Sequence, residues 1–487
     1  MRQDLPPSNG HHPQPADRYD LVVIGAGPAG LGAATAATAL GARVALIERN
    51  VPGGTCLNTG CVPSKAIIRT SRLYAEMHDA ERYGAQIPAE IRVDFPAVMQ
   101  RMRRIRARTV RPVSVHRLTA AGVDVFLGGA RFTGTDTLAV DGTKLRFEKA
   151  MIATGSHPEI PVIPGLVDAD YLTNENVFDL TELPRRLLVV GGGPLGCELA
   201  QAFCRLGAKT TIVQGLPLFL PKEERDAAQI LSAAFARDGI EVRLNTRPIN
   251  VHTEDGGKRV DLISDDYQST VIVDRILAGV GRLPNVDGMD LETAGVVYDP
   301  VNGIRVDDFL RTSNARIYAA GDACLEHKFT HTAAAAARIV VQNALCRGRQ
   351  RLSALVIPWC TYTDPEIAHV GLYVRQAHEL GLPVATFTIP MHDVTRAITD
   401  DEEIGFVKIH VKERTDRILG ATIVARHAGE MINEITLAMV AGVGLRTLSR
   451  VIHTYPTQAE AIKRAADACS PKRSRPTIRS LLRRWLA

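Results

Sequence analysis

Short, wholly apolar runs alternate along this chain with longer amphipathic ones. This is the pattern of strands buried on both faces with helices packed over them. YDLVVI (19–24) is predicted as such a strand, followed by an Ala-rich helix to about Leu40 and a second strand, RVALIE, ending at Glu48. Residues from about 67 to 118 carry helical periodicity and include VMQRMRRIRARTVRP. Strand patterns resume at VDVFLGG and continue through LAVDGTKLRFEKAMIATG. The stretch His157 to Leu166, HPEIPVIPGL, is a Pro-rich break that marks a domain boundary. Beyond it the opening pattern recurs as RLLVV, GGGPLG, CELAQAFCRLG and KTTIVQ. From Arg282 to about Leu345 the chain reads as a return to the first domain. Residues 353–466 form a mixed third domain, in which GFVKIHV and ILGATIVA precede helices.

Composition adds limits. A chain of 487 residues with 45% hydrophobic content exceeds one core and calls for two to four domains. Net charge is +5, with much of the excess in 101–111 and 472–484. The first of these basic runs reads as a solvated helix face. Aromatics are only 5% and form no interleaved platform, so no nucleic-acid partner is expected. Eight cysteines in so long a chain are not a disulfide scaffold. Cys197, Cys204, Cys324 and Cys346 read as buried packing residues. No apolar run is long enough to span a bilayer, and residues 1–18 lack a signal-peptide core. They are expected to be a disordered tail, and the protein cytoplasmic. Near the other end, Ile478, Leu481, Leu482 and Trp485 share one face of a basic amphipathic tail, 467–487. It suits either peripheral contact with an anionic membrane or docking on the body of the protein.

The two Gly-rich turns carry the first chemistry. Each lies between a strand and a helix, the context that gives G-x-G-x-x-G its meaning. Gly25 and Gly191 make the tight turn, Gly27 and Gly193 admit a pyrophosphate, and Gly30 and Gly196 allow helix to pack on sheet. Glu48 stands at the end of the second strand, where a carboxylate binds unphosphorylated ribose, as in the adenosine half of FAD. The same offset in the second unit reaches Gln214. Loss of the acid removes repulsion against a 2′-phosphate, and Lys222 and Arg225 follow. This tilts the reading toward NADPH over NADH.

GGTCLNTGCVPSK (53–65) carries the second chemistry. Cys56 and Cys61 are separated by turn formers, and a helix is expected to begin there and stabilise a thiolate. Such a pair can cycle between dithiol and disulfide. Spacing alone leaves open two buried inert cysteines, or a zinc site lacking further ligands.

Taken together, GGTCLNTGCVPSK, the two glycine loops, ATG (153–155), GRLPN (281–285) and YAAGDA (318–323) resemble the pyridine nucleotide–disulfide oxidoreductases over residues 19–466. The resemblance implies an α/β fold with two Rossmann-type dinucleotide-binding domains and a C-terminal α+β interface domain, in a homodimer. The FAD domain would comprise 19–156 and 282–350, the NAD(P) domain 157–281, and the interface domain 353–466. It implies that Cys61 faces the flavin and that Cys56 meets substrate. Lys65 would lie near the flavin and pair with Glu198. Asp322 would bond the ribityl chain, with Thr55, Ala130 and Gly155 also contacting FAD. Glu198 and Gly281 would line the nicotinamide side. Many relatives carry Tyr after the second GGG, where this chain has Pro194.

At the acceptor end, IHTYPTQAE (452–460) departs from disulfide reductases and dihydrolipoyl dehydrogenases. Those place a histidine before Pro-Thr, paired with a Glu five positions later. Here Glu460 is present but the histidine position is Tyr455, and His453 lies two residues earlier. A tyrosine, with pKa near 10, is a poor base at neutral pH. Mercuric reductases also carry Tyr here, and TRAITDDEEIGFVKI and PWCTYTDPEIAHVG look like theirs. They end, however, in a vicinal cysteine pair, whereas this chain has Cys469 alone, and His331 stands where they often carry another Tyr. The expected activity is electron transfer from NAD(P)H through FAD and Cys56/Cys61 to a soft metal ion of Hg(II) type, held by the same two cysteines, or to a thiol-reactive acceptor. A disulfide reductase or dihydrolipoyl dehydrogenase is the second reading, and a membrane-associated redox sensor or electron carrier the third.

Overall fold

A computed structural model describes residues 13–88, 91–265 and 267–469. The expectations for the first twelve residues and for the basic helix beyond 470 lie outside the described residues.

The opening strand β1 (Tyr19–Ile24) leads into α1 (Pro28–Ala39) and β2 (Val44–Glu48). The next helices are α2 (Gly54–Thr59), α3 (Cys61–His78), α4 (Phe95–Val110) and α5 (Val115–Ala120). The helical stretch expected from 67 to 118 is therefore three separate helices. A 3₁₀ turn ends at Gly84, where φ is +79°, and α4 starts afresh at Asp94, whose side chain accepts from Ala97 N at 3.0 Å.

Strands β3 (Val123–Leu127), β4 (Ala130–Phe132), β5 (Thr137–Val140) and β6 (Thr143–Ile152) follow. The sheet order is β3-β2-β1-β6-β5-β4. The first four strands pair in parallel, and β4–β5–β6 is an antiparallel meander. Because side chains alternate across a strand, Leu21 and Val23 point to one layer and Val22 and Ile24 to the other. All four are buried. The first pair meets the alanines of α1 (Ala33, Ala34, Ala37), and the second meets the meander through Phe132 and Phe147.

The second glycine unit is built likewise. After β7 (Ser156–Pro158), β8 (Arg186–Val190), α6 (Pro194–Arg205) and β9 (Lys209–Val213) come α7 (Arg225–Asp238) and β10 (Glu241–Arg243). An antiparallel sheet of β11 (Thr246–Glu254), β12 (Gly257–Ser264) and β13 (Tyr267–Val273) precedes β14 (Arg275–Ala278), and the parallel order is β10-β9-β8-β14. β15 (Arg282–Pro284) runs antiparallel to β7, bringing residues 282–284 beside 156–158. A hairpin of β16 (Tyr298–Asp299) and β17 (Gly303–Ile304) leads to β18 (Ile317–Ala319), which joins the first sheet beside β6, and to α8 (Thr330–Leu345).

The described residues divide into two compact units. One holds those up to Leu220 together with Phe235–Leu355; the other holds Pro221–Ala234 and those from Val356 onward. In the second, β19 (Pro358–Thr361), β20 (Glu366–Gly371), α9 (Val374–Glu379), β21 (Val384–Pro390), α10 (Thr395–Thr399), β22 (Phe406–Lys412) and β23 (Ile418–Ala425) form an antiparallel sheet of order β19-β20-β23-β22-β21 with two short helices. Three helices complete it: α11 (Ala428–Val440), α12 (Leu445–Leu448) and α13 (Glu460–Cys469). Its inserted segment 221–234 is held by Glu223, which accepts from Tyr373 Oη at 2.7 Å and Trp359 Nε1 at 3.2 Å.

Candidate active site

The glycines of the two loops do different work. A Cβ on Gly25, where φ is +104°, would lie 2.4 Å from Ala153 O, and one on Gly30 would lie 1.7 Å from Gly25 O. The second loop repeats this: a Cβ on Gly191 would lie 2.5 Å from Gly279 O, and one on Gly196 2.2 Å from Gly191 O. At Gly193 nothing lies within 4 Å, and at Gly27 the nearest atom is Gly54 Cα at 3.9 Å. The outer glycines thus permit the protein's own packing. The middle ones leave open backbone at a helix N-terminus, which suits a pyrophosphate. Glu48 Oε2 accepts from Ala26 N at 2.8 Å, and Gln214 Oε1 accepts from Gly192 N at 2.9 Å. The two strand-end residues brace equivalent loops, one with a carboxylate and one with a neutral amide. These features fit FAD at the first loop and a nicotinamide dinucleotide at the second. Gly155, at φ +73°, accepts from Asn285 N, and Gly281 O accepts from Glu159 N. Ala130 opens β4 and is buried. Thr55 precedes Cys56 in α2.

The cysteines span a break between two helices. Cys56 lies in α2, and Cys61 is the first residue of α3, after Gly60. They are unbridged, with Cys61 exposed and Cys56 half-buried. Lys65 follows Cys61 by one turn on the same face of α3. Its Nζ lies 2.7 Å from Oε2 of Glu198, a buried residue of α6. Thr330, first residue of α8, places Oγ1 3.6 Å from Cys61 Sγ. The Cys61 thiol is lowered to about 6, first by the hydrogen bond from Cys56 and then by Thr330 and the Lys65 charge, against desolvation and Glu198. Cys56, which keeps the shared proton, is pushed up by that bond and by burial. The hydrogen bond between the two sulfurs, with Thr330 and the Lys65 charge, thus favours the anion on Cys61 and the proton on Cys56.

Asp322 accepts from Ser156 Oγ at 2.6 Å. Arg282 donates Nε to the same Oγ and Nη2 to Ser156 O, both at 2.8 Å, and Nη1 to Asn174 Oδ1 at 3.0 Å.

In the second unit, Tyr455 is 66% exposed. Glu460 pairs with Arg464 at 2.8 Å, which differs from the family pairing with position 455. His453 Nε2 is 2.9 Å from Glu434 Oε1 and its side chain is 9% exposed. His453 thus pairs with a carboxylate from α11.

The solvated-face reading of 101–111 holds for Arg104, Arg108 and Arg111, which are exposed, and is corrected for the other three arginines. Arg101 donates to Ala66 O, Arg103 to Leu180 O, and Arg106, 7% exposed, to Asn58 O. The signal was present: Phe95, Val98, Met99, Met102 and Arg106 share one helical stripe and are all buried. Charge masked the periodicity. Cys346 is likewise exposed, at the end of α8, where burial was expected. Thr330, Asn174 and Arg282 were also passed over. Arg282 stands inside GRLPN and Thr330 just before His331, so motif context pointed at both. Asn174 carries no local signal.

The comparisons with known proteins agree with this architecture. Residues 19–337 match the family model "Pyridine nucleotide-disulphide oxidoreductase", and 357–466 match that family's dimerisation domain. A mercuric reductase of Lysinibacillus sphaericus is 34% identical over 92% of this chain and 82% of its own length. A dihydrolipoyl dehydrogenase of Thermus scotoductus is 33% identical over 92% and 97%. The HOCl-induced flavoprotein disulfide reductase RclA of Escherichia coli, solved as a Cu(II) complex, superposes with a TM-score of 0.83 at 29% identity, covering 93% of this chain and all of the other. Members of this family use FAD and NAD(P)H, which is what the two loops fit. With both glycine units, the cysteine pair and the dimerisation domain in place, the chain belongs to the pyridine nucleotide–disulphide oxidoreductases.

Proposed function

We propose that this flavin-dependent oxidoreductase delivers the electrons of NAD(P)H to a soft metal ion of Hg(II) type, bound as substrate by Cys56 and Cys61. The observation that carries it is the pairing of Cys56 and Cys61 across a short helix break, with the Cys61 thiol lowered to about 6 by its partner, Thr330 and the Lys65 charge. Two adjacent sulfurs of this kind are good ligands for a soft cation. FAD, when bound, carries two electrons between the nicotinamide and the thiols. Lys65, fixed by Glu198, places a cation one helical turn from Cys61 and supports its negative charge. For a bis-thiolate Hg(II) substrate the balance is NAD(P)H and one proton consumed, with NAD(P)⁺, Hg(0) and two thiols released. Gln214 favours NADPH, because a neutral amide does not repel a 2′-phosphate. The exposed apolar residues Leu437, Val440, Ile452 and Tyr455 support a homodimer built on the second unit.

The test is anaerobic titration with NADPH, followed by addition of Hg(II) bis-cysteinate. Volatile mercury in proportion to NADPH is expected, and Cys56→Ser and Cys61→Ser abolish it. A flavin that reduces normally while no mercury leaves solution defeats the metal assignment.

One observation favours a disulfide acceptor as the second reading. His453, backed by Glu434, is an imidazole–carboxylate pair of the kind that moves protons between thiols. Turnover of glutathione disulfide or lipoamide that His453→Gln lowers at least tenfold, and Tyr455→Phe leaves intact, would put this reading first.

A further inference from the structure

The Cys61 sulfur lies between two opposed helix ends: the N-terminal amides of its own helix α3 favour a thiolate, while the C-terminal carbonyls of α2 just before it oppose one. Helix α2 stops at Thr59, one residue before Gly60 and two before Cys61. The last carbonyls of a helix have no partner within it and carry partial negative charge. Unpaired, those of Asn58 and Thr59 would oppose an anion on the sulfur that follows.

Both carbonyls are paired, and from far along the chain. Asn174 Nδ2 donates to Thr59 O at 3.0 Å, and Arg106 Nη1 donates to Asn58 O at 3.3 Å. Neither donor is a solvated surface group, since Asn174 is 3% and Arg106 7% exposed. Burial lowers the Arg106 pKa, so this cation is kept inside at a cost. The charge of Asp179 offsets part of that cost, and that of Arg103 adds to it. Asn174 is itself oriented, because its Oδ1 accepts from Arg282 Nη1 and so turns Nδ2 toward the redox turn. Arg282 in turn is fixed by Ser156, which donates to Asp322.

We propose that Asn174 and Arg106 are positioning residues of the redox pair: they cap the last two carbonyls of α2 and thereby stabilise the anionic sulfur of Cys61, with Arg282 orienting Asn174. The proposal rests on Cys56 and Cys61 being the redox pair, and is independent of which acceptor they serve. Other groups acting on Cys61 are Cys56, Thr330, Lys65 and Glu198, and its charge is also felt by Arg282. Lys65 meets Glu198, and Thr330 meets the Cys61 sulfur, through their side chains, so substitutions there separate their effect from that of the two carbonyl caps.

The experiment is the pH dependence of alkylation of the full-length holoenzyme by iodoacetamide. The protein is reduced with dithiothreitol, and each cysteine is followed by peptide mass. Because neither NADPH nor an acceptor enters, failure of the metal or disulfide reading leaves the result interpretable. Wild-type Cys61 is expected to react with a midpoint near 6. Asn174→Ala and Arg106→Met each move that midpoint up by about half a unit, the size of a helix-end charge effect. Arg106→Lys moves it less. Arg103→Met, on the same helix but bonded to the carbonyls of Asp179 and Leu180, leaves it unchanged. If Arg106→Met does not fold, Asn174→Ala and Arg106→Lys decide. Wild-type midpoints in Asn174→Ala and in the folded Arg106 variant would overturn the proposal, as would an equal shift in Arg103→Met.

Discussion

Cys61 takes its acidity from groups that arrive on different elements: Cys56 from α2, Lys65 from its own helix, Thr330 from α8, and Glu198 acting against them from α6. Their signs lead to a prediction. Lys65→Met removes a stabilising charge and should raise the pH at which Cys61 alkylates. Glu198→Gln removes an opposing charge and should lower it. The two shifts have opposite sign, each about half a unit or more for a charge at a partly exposed sulfur. A shared direction would show that both act through damage to the fold. Of these residues, Lys65 was legible only through the resemblance carried by GGTCLNTGCVPSK, because a mid-chain lysine taken alone reads as a surface residue. Glu198 was legible by motif, and its contact with Lys65 is present at 2.7 Å. Arg106 was misread, because a charged residue on an apolar stripe looks solvated until its partner is known. That partner is a backbone carbonyl 48 positions away, and no pattern in side chains announces it.

Among the elements, the strand–turn–helix units were the most readable. β1, β8 and the helices after them lie where the apolar runs and glycines put them. The break between α2 and α3 was less so, since a single helix was expected to begin at the cysteines and two short-range elements share them. Gly60 there has φ −142° and ψ −113°, outside helical values. The duplicated loops permit a paired experiment. Gly30→Ala drives a methyl into Gly25 O, and Gly196→Ala does the same at Gly191 O. Overpacking of this kind costs about 1–3 kcal/mol. Gly30→Ala is therefore expected to purify with substoichiometric FAD. Gly196→Ala should keep its FAD but show a KM for NADPH raised about tenfold, which is about 1.4 kcal/mol. Flavin absorbance per polypeptide and steady-state kinetics distinguish the two. Equal flavin loss in both variants would count against separate cofactor assignments.

At the scale of the whole molecule, the second unit presents apolar side chains to solvent along 437–455, with Ile452 96% exposed and Leu437 67%. An apolar surface of this kind is normally covered, and the match of 357–466 to a dimerisation domain indicates by what. Ile452→Asp together with Leu437→Glu should convert a dimer to monomer in sedimentation velocity at micromolar protein. Persistence of the dimer would place the interface elsewhere. The chain by itself determined the repeated dinucleotide units, because these depend on periodicities of two and 3.6 residues and on glycines that tolerate no side chain, and its motifs taken together marked the cysteine pair and Lys65 by resemblance to a family. Only the tertiary structure decided which distant residues act on the pair: Thr330, Asn174, Arg282 and the buried Arg106. Their contacts span 48 to 269 positions. Hydrogen bonds over such separations are set by how sheets and helices stack, which local sequence does not record.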